Sequence, residues 1–62
     1  MTPEELRAIR AEMGDTQAEA AARFGVNLRS YCRWEQGERQ VPGPAVVLAR
    51  LFLKLHRRQI AI

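Results

Sequence analysis

The sequence predicts an all-α fold, and three observations predict it. Two Thr-x-x-Glu boxes, Thr2 to Glu5 and Thr16 to Glu19, carry the paired side chains that open a helix. The apolar residues that follow recur at helical spacing and then stop at a glycine. No stretch alternates apolar and polar residues for long enough to make a strand. At 62 residues the chain is read as one domain, 1–62. A chain this short buries only about 60% of its unfolded surface, so its stability is marginal and a partner subunit is the expected support.

Four helices can be placed in order. The first has Thr2 as N-cap and Pro3 at the first helical position, with Leu6, Ile9 and Met13 on one face and Gly14 as its stop. The second has Thr16 as N-cap, with Asp15 adding negative charge at the positive helix end. It runs through Ala20, Ala21 and Ala22 to about Phe24, which makes it a thin helix that a neighbour can approach closely. Gly25 follows, where a left-handed backbone suits a tight turn. The third starts at Asn27, a good N-cap, and stops around Gln36-Gly37. At about 100° per residue, Asn27, Tyr31 and Trp34 fall on one side of it, and Arg29, Cys32, Arg33 and Gln36 on the other. Gly37 to Gly43 reads as a loop with Pro42 and Gly43 as breakers. Pro44 then sits in the first turn of a fourth helix, on which Val47, Leu48, Leu51, Phe52 and Leu55 form a broad apolar face. The tail Ile60-Ala61-Ile62 either extends this helix or folds back.

The net charge is +3, and its distribution is uneven. Residues 1–20 hold two arginines against five carboxylates, net −3, whereas residues 21–62 hold eight basic side chains against two acids, net +6. The basic half is nearly all arginine, which suits bidentate contacts to phosphate and to guanine edges. One cysteine, Cys32, and one histidine, His56, exclude an internal disulfide and offer no zinc spacing, so no metal or cofactor is expected. Paired carboxylates, a nucleophile–base set and a phosphate-cradling glycine loop are also missing, and an enzyme is not expected. The polar, acidic start lacks the features of a secretory signal, and the apolar-rich stretch Val46 to Leu55 is broken by Arg50 and Lys54. These features predict a cytoplasmic protein that does not span a membrane.

The segment Gln17 to Gln36 has the layout of a helix-turn-helix: a short helix, a glycine turn and a second short helix. Ala21 lets the second helix cross nearby, Gly25 frees the turn, and Ala20, Phe24, Val26, Tyr31 and Trp34 are positioned to face a shared core. The combination of Thr16-Gln17-Ala18-Glu19, Gly25-Val26-Asn27 and Trp34-Glu35-Gln36-Gly37-Glu38-Arg39 resembles the phage repressor/Cro family, the Xre-type regulators, over residues 3 to 55. That family's docking on DNA is a standard example of the helix-turn-helix.

The resemblance implies a compact bundle of four or five helices, with any fifth very short, and a third helix that enters the major groove N-terminus first. It implies that Asn27, Leu28, Arg29 and Arg33 read bases, that Gln17 touches phosphate and steadies a base-reading neighbour, and that Ser30 and Arg39 touch phosphate. It also implies an ion pair between Arg10 and Glu35, tying the first helix to the end of the third. Leu28 departs from the family's usual polar residue; it has no hydrogen bond to offer a base but suits contact with a thymine methyl. Ala20 stands where the family often has a larger apolar residue, so the core is either looser there or filled by Phe24 and Trp34.

Each residue also has a plainer reading. Asn27 is a base contact or only a helix cap, Leu28 a DNA contact or an exposed apolar residue, and Arg29 and Arg33 base or phosphate contacts or a solvated pair. Tyr31 and Trp34 are read as core rather than as nucleic-acid stackers. Cys32 carries no flanking feature that demands redox chemistry, and His56 is read as a surface residue. Phe52, Leu55, Ile60 and Ile62, with residues 45–62 generally, are expected to contribute to a homodimer contact.

The leading expectation is a phage or prophage repressor or Cro-like regulator that occupies a palindromic double-stranded operator as a homodimer. The alternative is an antitoxin-type or other protein-interaction module. The basic amphipathic segment Arg50 to Arg58 as a lipid-surface binder is a distant third.

Overall fold

A computed structural model describes residues 1–60, with side chains through Gln59. Four helices make up the fold: α1 (Pro3–Met13), α2 (Gln17–Phe24), α3 (Leu28–Gln36) and α4 (Gly43–Ile60). Local chemistry sets each of the first three. The Thr2 hydroxyl accepts the Glu5 amide at 3.1 Å while the Glu5 carboxylate accepts the Thr2 amide at 3.3 Å. The same reciprocal pair opens α2, with distances of 3.1 Å and 2.8 Å between Thr16 and Glu19. Each box satisfies two backbone donors that a helix start otherwise leaves open. Asn27 opens α3 by accepting the Ser30 amide at 2.8 Å. At the turn between α2 and α3, Gly25 takes φ 71°, the left-handed region that a side chain disfavours. Its amide donates back to Ala22, and the Val26 amide to Ala21, which closes the last turn of α2 and swings the chain into α3.

The core lies between the two sides of this turn. Leu6, Ala20, Ala21, Tyr31, Trp34, Val41 and Ala45 are buried together, with Met1, Phe24, Val26 and Val46 packed against them. Phe24 packs against this cluster from α2. Its ring lies 5.9 Å from Tyr31, 5.9 Å from Trp34 edge-on, and 5.5 Å from Phe52 edge-on. One aromatic on α2 thus joins α3 and α4, with offset and edge geometries that aromatic rings favour. A small cavity of about 10 Å³ remains beside Ala20, bordered by Leu6, Phe24, Tyr31 and Phe52.

The fourth helix differs from its expected packing. Gly43, expected as a loop breaker, is its first residue, and Pro44 lies in its first turn. The single broad apolar face splits in two. Ala45 and Ala49 are buried, with Val46, Phe52 and Leu53 half-buried. Val47, Leu48, Leu51 and Leu55 face solvent, at 66%, 36%, 46% and 46% exposure. The reason is size: alanines at Ala45 and Ala49 let α4 approach its neighbours closely, and with those positions inward, helical spacing carries the leucines outward.

Helix α4 runs alongside α1 in the same direction. Arg57, near the end of α4, binds Glu12, near the end of α1, through Nε at 2.8 Å and Nη2 at 3.1 Å. Among the described residues no fifth helix and no strand is present.

Candidate nucleic-acid interface

The site is built from the polar junction of α1, α2 and α3 and from the outer face of α3. At the junction, the Glu35 side chain is buried at 2% exposure. It accepts from Arg10 Nε at 2.7 Å and Arg10 Nη2 at 3.2 Å, and from Gln17 Nε2 at 3.1 Å. Arg10 Nη1 goes on to the Asp15 carbonyl at 3.2 Å. Burial raises the Glu35 carboxyl, but the hydrogen bonds from Arg10 and Gln17 outweigh it, and the group is held below the usual carboxylate range. The same contact holds the Arg10 guanidinium above its ordinary value. The pair therefore stays ionised where a lone buried carboxylate would not. The Tyr31 hydroxyl lies in this neighbourhood, buried and without a hydrogen bond. Burial pushes its ionisation well above the ordinary tyrosine value, with the Glu35 carboxylate adding to the shift.

Arg7 adds a tie that the sequence did not disclose. Its Nη1 donates to the backbone carbonyl of Glu35 at 2.9 Å, satisfying one of the carbonyls that the end of α3 leaves open. No local pattern signals a contact 28 residues apart. Three elements thus converge on Glu35, and they fix how α3 sits against α1 and α2.

The outer face of α3 is set by this anchoring. Tyr31, Trp34 and Glu35 point inward and are buried, which turns Arg29, Cys32, Arg33 and Gln36 away from the core. Leu28 is exposed at 47% at the first helical position. Arg29 is exposed, Arg33, Ser30 and Cys32 are half-buried, and Arg39 is exposed just beyond α3. Asn27 is exposed, but its Oδ1 is engaged as the cap. Gln17 opens α2 with its amide held at both ends: Nε2 donates to Glu35, and Oε1 accepts from Cys32 Sγ at 3.6 Å. Leu28, Arg29, Ser30, Arg33 and Asn27 are therefore contiguous, Gln17 borders them through Cys32, and Arg39 stands apart at the far end of α3.

Charge is distributed to the same effect. Arg7, Arg10, Arg23 and Arg57 are paired with Glu4, Glu35, Asp15 and Glu12. The Arg23 bond holds the Asp15 carboxyl below its ordinary value, and the Arg57 bond does the same for Glu12. Glu5 and Glu19 serve the capping boxes. Among the described residues, Arg29, Arg33 and Arg39 have no carboxylate partner. The acid-rich first third of the sequence is thus spent on internal pairs and caps, and the uncompensated positive charge lies in two places, around α3 and, through Arg50, Lys54 and Arg58, along α4.

Of the residues expected at a dimer contact, Leu55 is exposed and Phe52 is half-buried against Phe24. The Ile60 side chain and Ile62 lie outside the described residues. His56, expected at the surface, is half-buried and lines a groove of about 220 Å³ with Met13, Arg23, Phe52, Leu55 and Gln59. Among the described residues no helix is long and apolar enough to cross a membrane.

A family model described as "Helix-turn-helix" matches residues 6–57 of this chain. No curated protein and no solved structure gives a significant match.

Proposed function

The chain belongs to the helix-turn-helix family, of the Xre and Cro/repressor-like kind, and from that premise we propose that it is a sequence-specific double-stranded DNA-binding transcriptional regulator, acting by operator occupancy. The observation that carries the reading is the charge arrangement. Four arginines are paired within the chain, and those left without a carboxylate partner on α3 and just after it are Arg29 and Arg33, on the face that a helix-turn-helix lays in the major groove, and Arg39 at its far end.

In this reading α3 enters the groove N-terminus first. Arg29 and Arg33, one turn apart, address guanine O6 and N7 edges. Asn27 keeps its cap through Oδ1 and has both amide hydrogens left for a base or phosphate. Gln17 gives one Nε2 hydrogen to Glu35 and keeps the second for a phosphate oxygen, so it steadies α3 and touches DNA together. Ser30 and Arg39 contact phosphate, which positions the protein without reading sequence. Arg10 and Glu35 act on DNA only through the orientation of α3.

The homodimer part of the proposal rests on α4. Its exposed Val47, Leu48, Leu51 and Leu55 form one continuous stripe within the segment 45–62. A second copy is the occupant this reading requires, because one α3 reads only half of a palindrome. A two-fold dimer sets the two readers about 34–36 Å apart. The chain acts in the cytoplasm of a bacterial or phage-infected cell, where operator DNA is found, and needs no cofactor for this mechanism.

The test is binding selection from random duplex DNA, with wild type and the Arg29→Ala/Arg33→Ala double variant in parallel. A palindrome recovered by wild type and lost by the variant is the expected result. Recovery of no motif by folded protein would overturn it and place the α4 stripe at the service of a different chain, as in an antitoxin-type module.

A further inference from the structure

We infer that α3 carries a subsite for the C5 methyl group of thymine, with Leu28 as its contact surface, beside the arginines that address guanine. The inference rests on the DNA-reading function proposed above and specifies what one position of the operator half-site must be.

Leu28 is unusual in its place. Among the described residues every other exposed large hydrophobic, Val47, Leu48, Leu51 and Leu55, lies on α4. Leu28 stands alone at 47% exposure, outside the core cluster, as the first residue of α3. Its backbone is fixed, because the Asn27 cap closes the first turn through the Ser30 amide at 2.8 Å. The side chain is thus held at the end of the helix that enters the groove first, with about half of its surface open to solvent.

The outer face has two rows at one-turn spacing. Arg29 and Arg33 form a cationic row. Leu28 and Cys32 form the row beside it, on the flank nearer α2. The Cys32 thiol donates to Gln17 Oε1 at 3.6 Å, so its polar hydrogen is directed at α2, and sulfur behaves otherwise as a small apolar surface. The second row therefore offers no hydrogen bond to a base edge.

Base chemistry then selects the ligand. In the major groove thymine alone presents an apolar group, its C5 methyl. Cytosine carries only a hydrogen at the same C5 position, so a leucine placed there finds no methyl group to bury. Thymine gains from burying its methyl against Leu28, and cytosine lacks that gain. The half-site should thus combine one methyl-read thymine with guanines read by Arg29 and Arg33.

The experiment uses the selected operator with each thymine replaced singly by deoxyuridine, which removes only the methyl. Wild type is expected to lose about fourfold in affinity at one thymine per half-site, the value of one buried methyl group. Leu28→Ala is expected to bind thymine and deoxyuridine alike at that position while keeping its response to guanine changes. At the same position, 5-methylcytosine should bind wild type tighter than cytosine, and Leu28→Ala should not distinguish them. Sequence-specific binding by wild type that is indifferent to every deoxyuridine overturns the subsite while leaving the regulator intact, and this arm needs no variant. Deoxyuridine sensitivity that persists in Leu28→Ala also overturns it, by assigning the methyl to another residue. Failure to select any operator is a separate outcome and overturns the regulator reading beneath it.

Discussion

Replacing Glu35 with alanine removes the group on which α1, α2 and α3 converge, and the cost can be worked from the geometry. The carboxylate is 2% exposed and accepts three side-chain hydrogen bonds, two from Arg10 and one from Gln17. Removing one partner of a buried pair typically costs about 3–5 kcal/mol, because the other charge is left without compensation. Here the orphaned Arg10 side chain is 24% exposed and can recruit some water, which lowers the expectation to about 2–3 kcal/mol. A domain of this length has roughly 3–9 kcal/mol in total. The variant should therefore melt about 10–20 °C lower, read by circular dichroism at fixed protein concentration. Replacing both partners, Arg10→Met with Glu35→Leu, should recover part of that loss, since no uncompensated charge remains. The pH dependence has a fixed sign. The folded carboxyl is held below its ordinary range, so its contribution is fully present above the unfolded pKa and is lost as pH falls through the lowered folded value. Glu35→Gln should lose that acid-dependent component. A Glu35→Ala variant that melts within about 3 °C of wild type would mean that apolar packing alone holds the three-helix junction.

Other perturbations separate specificity, positioning, assembly and backbone effects. Arg29→Ala and Arg33→Ala should each relax base preference at one operator position by roughly 1–3 kcal/mol. Arg39→Ala should instead weaken all sequences alike and reduce the salt slope of binding by about one unit, both measured by titration at several salt concentrations. Leu51→Lys places a charge in the exposed α4 stripe and should shift sedimentation toward monomer without lowering the melting temperature of the isolated subunit; an unchanged mass at micromolar concentration would remove the stripe from the dimer contact. Gly25→Ala meets no atom within 4 Å of the added carbon, so its cost is the left-handed backbone at φ 71° alone. That cost is about 1–2 kcal/mol by urea denaturation, with m unchanged.

The helix starts were legible because their signals are local. Thr2 with Glu5 and Thr16 with Glu19 each complete a reciprocal bond within four residues, and no distant contact can substitute for it. The turn at Gly25 and the inward Tyr31 and Trp34 were legible for the same reason, joined to helical period. Asn27 carried two readings in the sequence, and the structure places its Oδ1 in the cap. Helix α4 was less legible. Apolar residues surround much of it, so the choice of buried face rests on size: Ala45 and Ala49 go inward because they permit close approach. That choice belongs to the partners' surfaces and not to the helix's own pattern. Arg7 on the Glu35 carbonyl and Arg57 on Glu12 span 28 and 45 residues, and any exposed arginine would look the same in sequence. The placement of Gln17 was partly legible: its position at the start of α2 followed from the motif, but its clamp between Glu35 and Cys32 required the helices to be brought together.

Trp34 gives the protein its own optical gauge. It is the chain's single tryptophan, 5% exposed, with the Phe24 ring edge-on at 5.9 Å and Tyr31 at 6.0 Å. Its indole therefore emits from an apolar enclosure in the folded state and from water in the unfolded one. It also sits on the inner side of the same helix whose outer side holds Arg29 and Arg33. Binding that docks α3 as a rigid rod leaves that enclosure, and hence the emission wavelength, unchanged; binding that rotates or unwinds α3 shifts it. A single unlabelled sample, excited at the indole band, thus reports both whether the fold is intact and whether recognition deforms the reader.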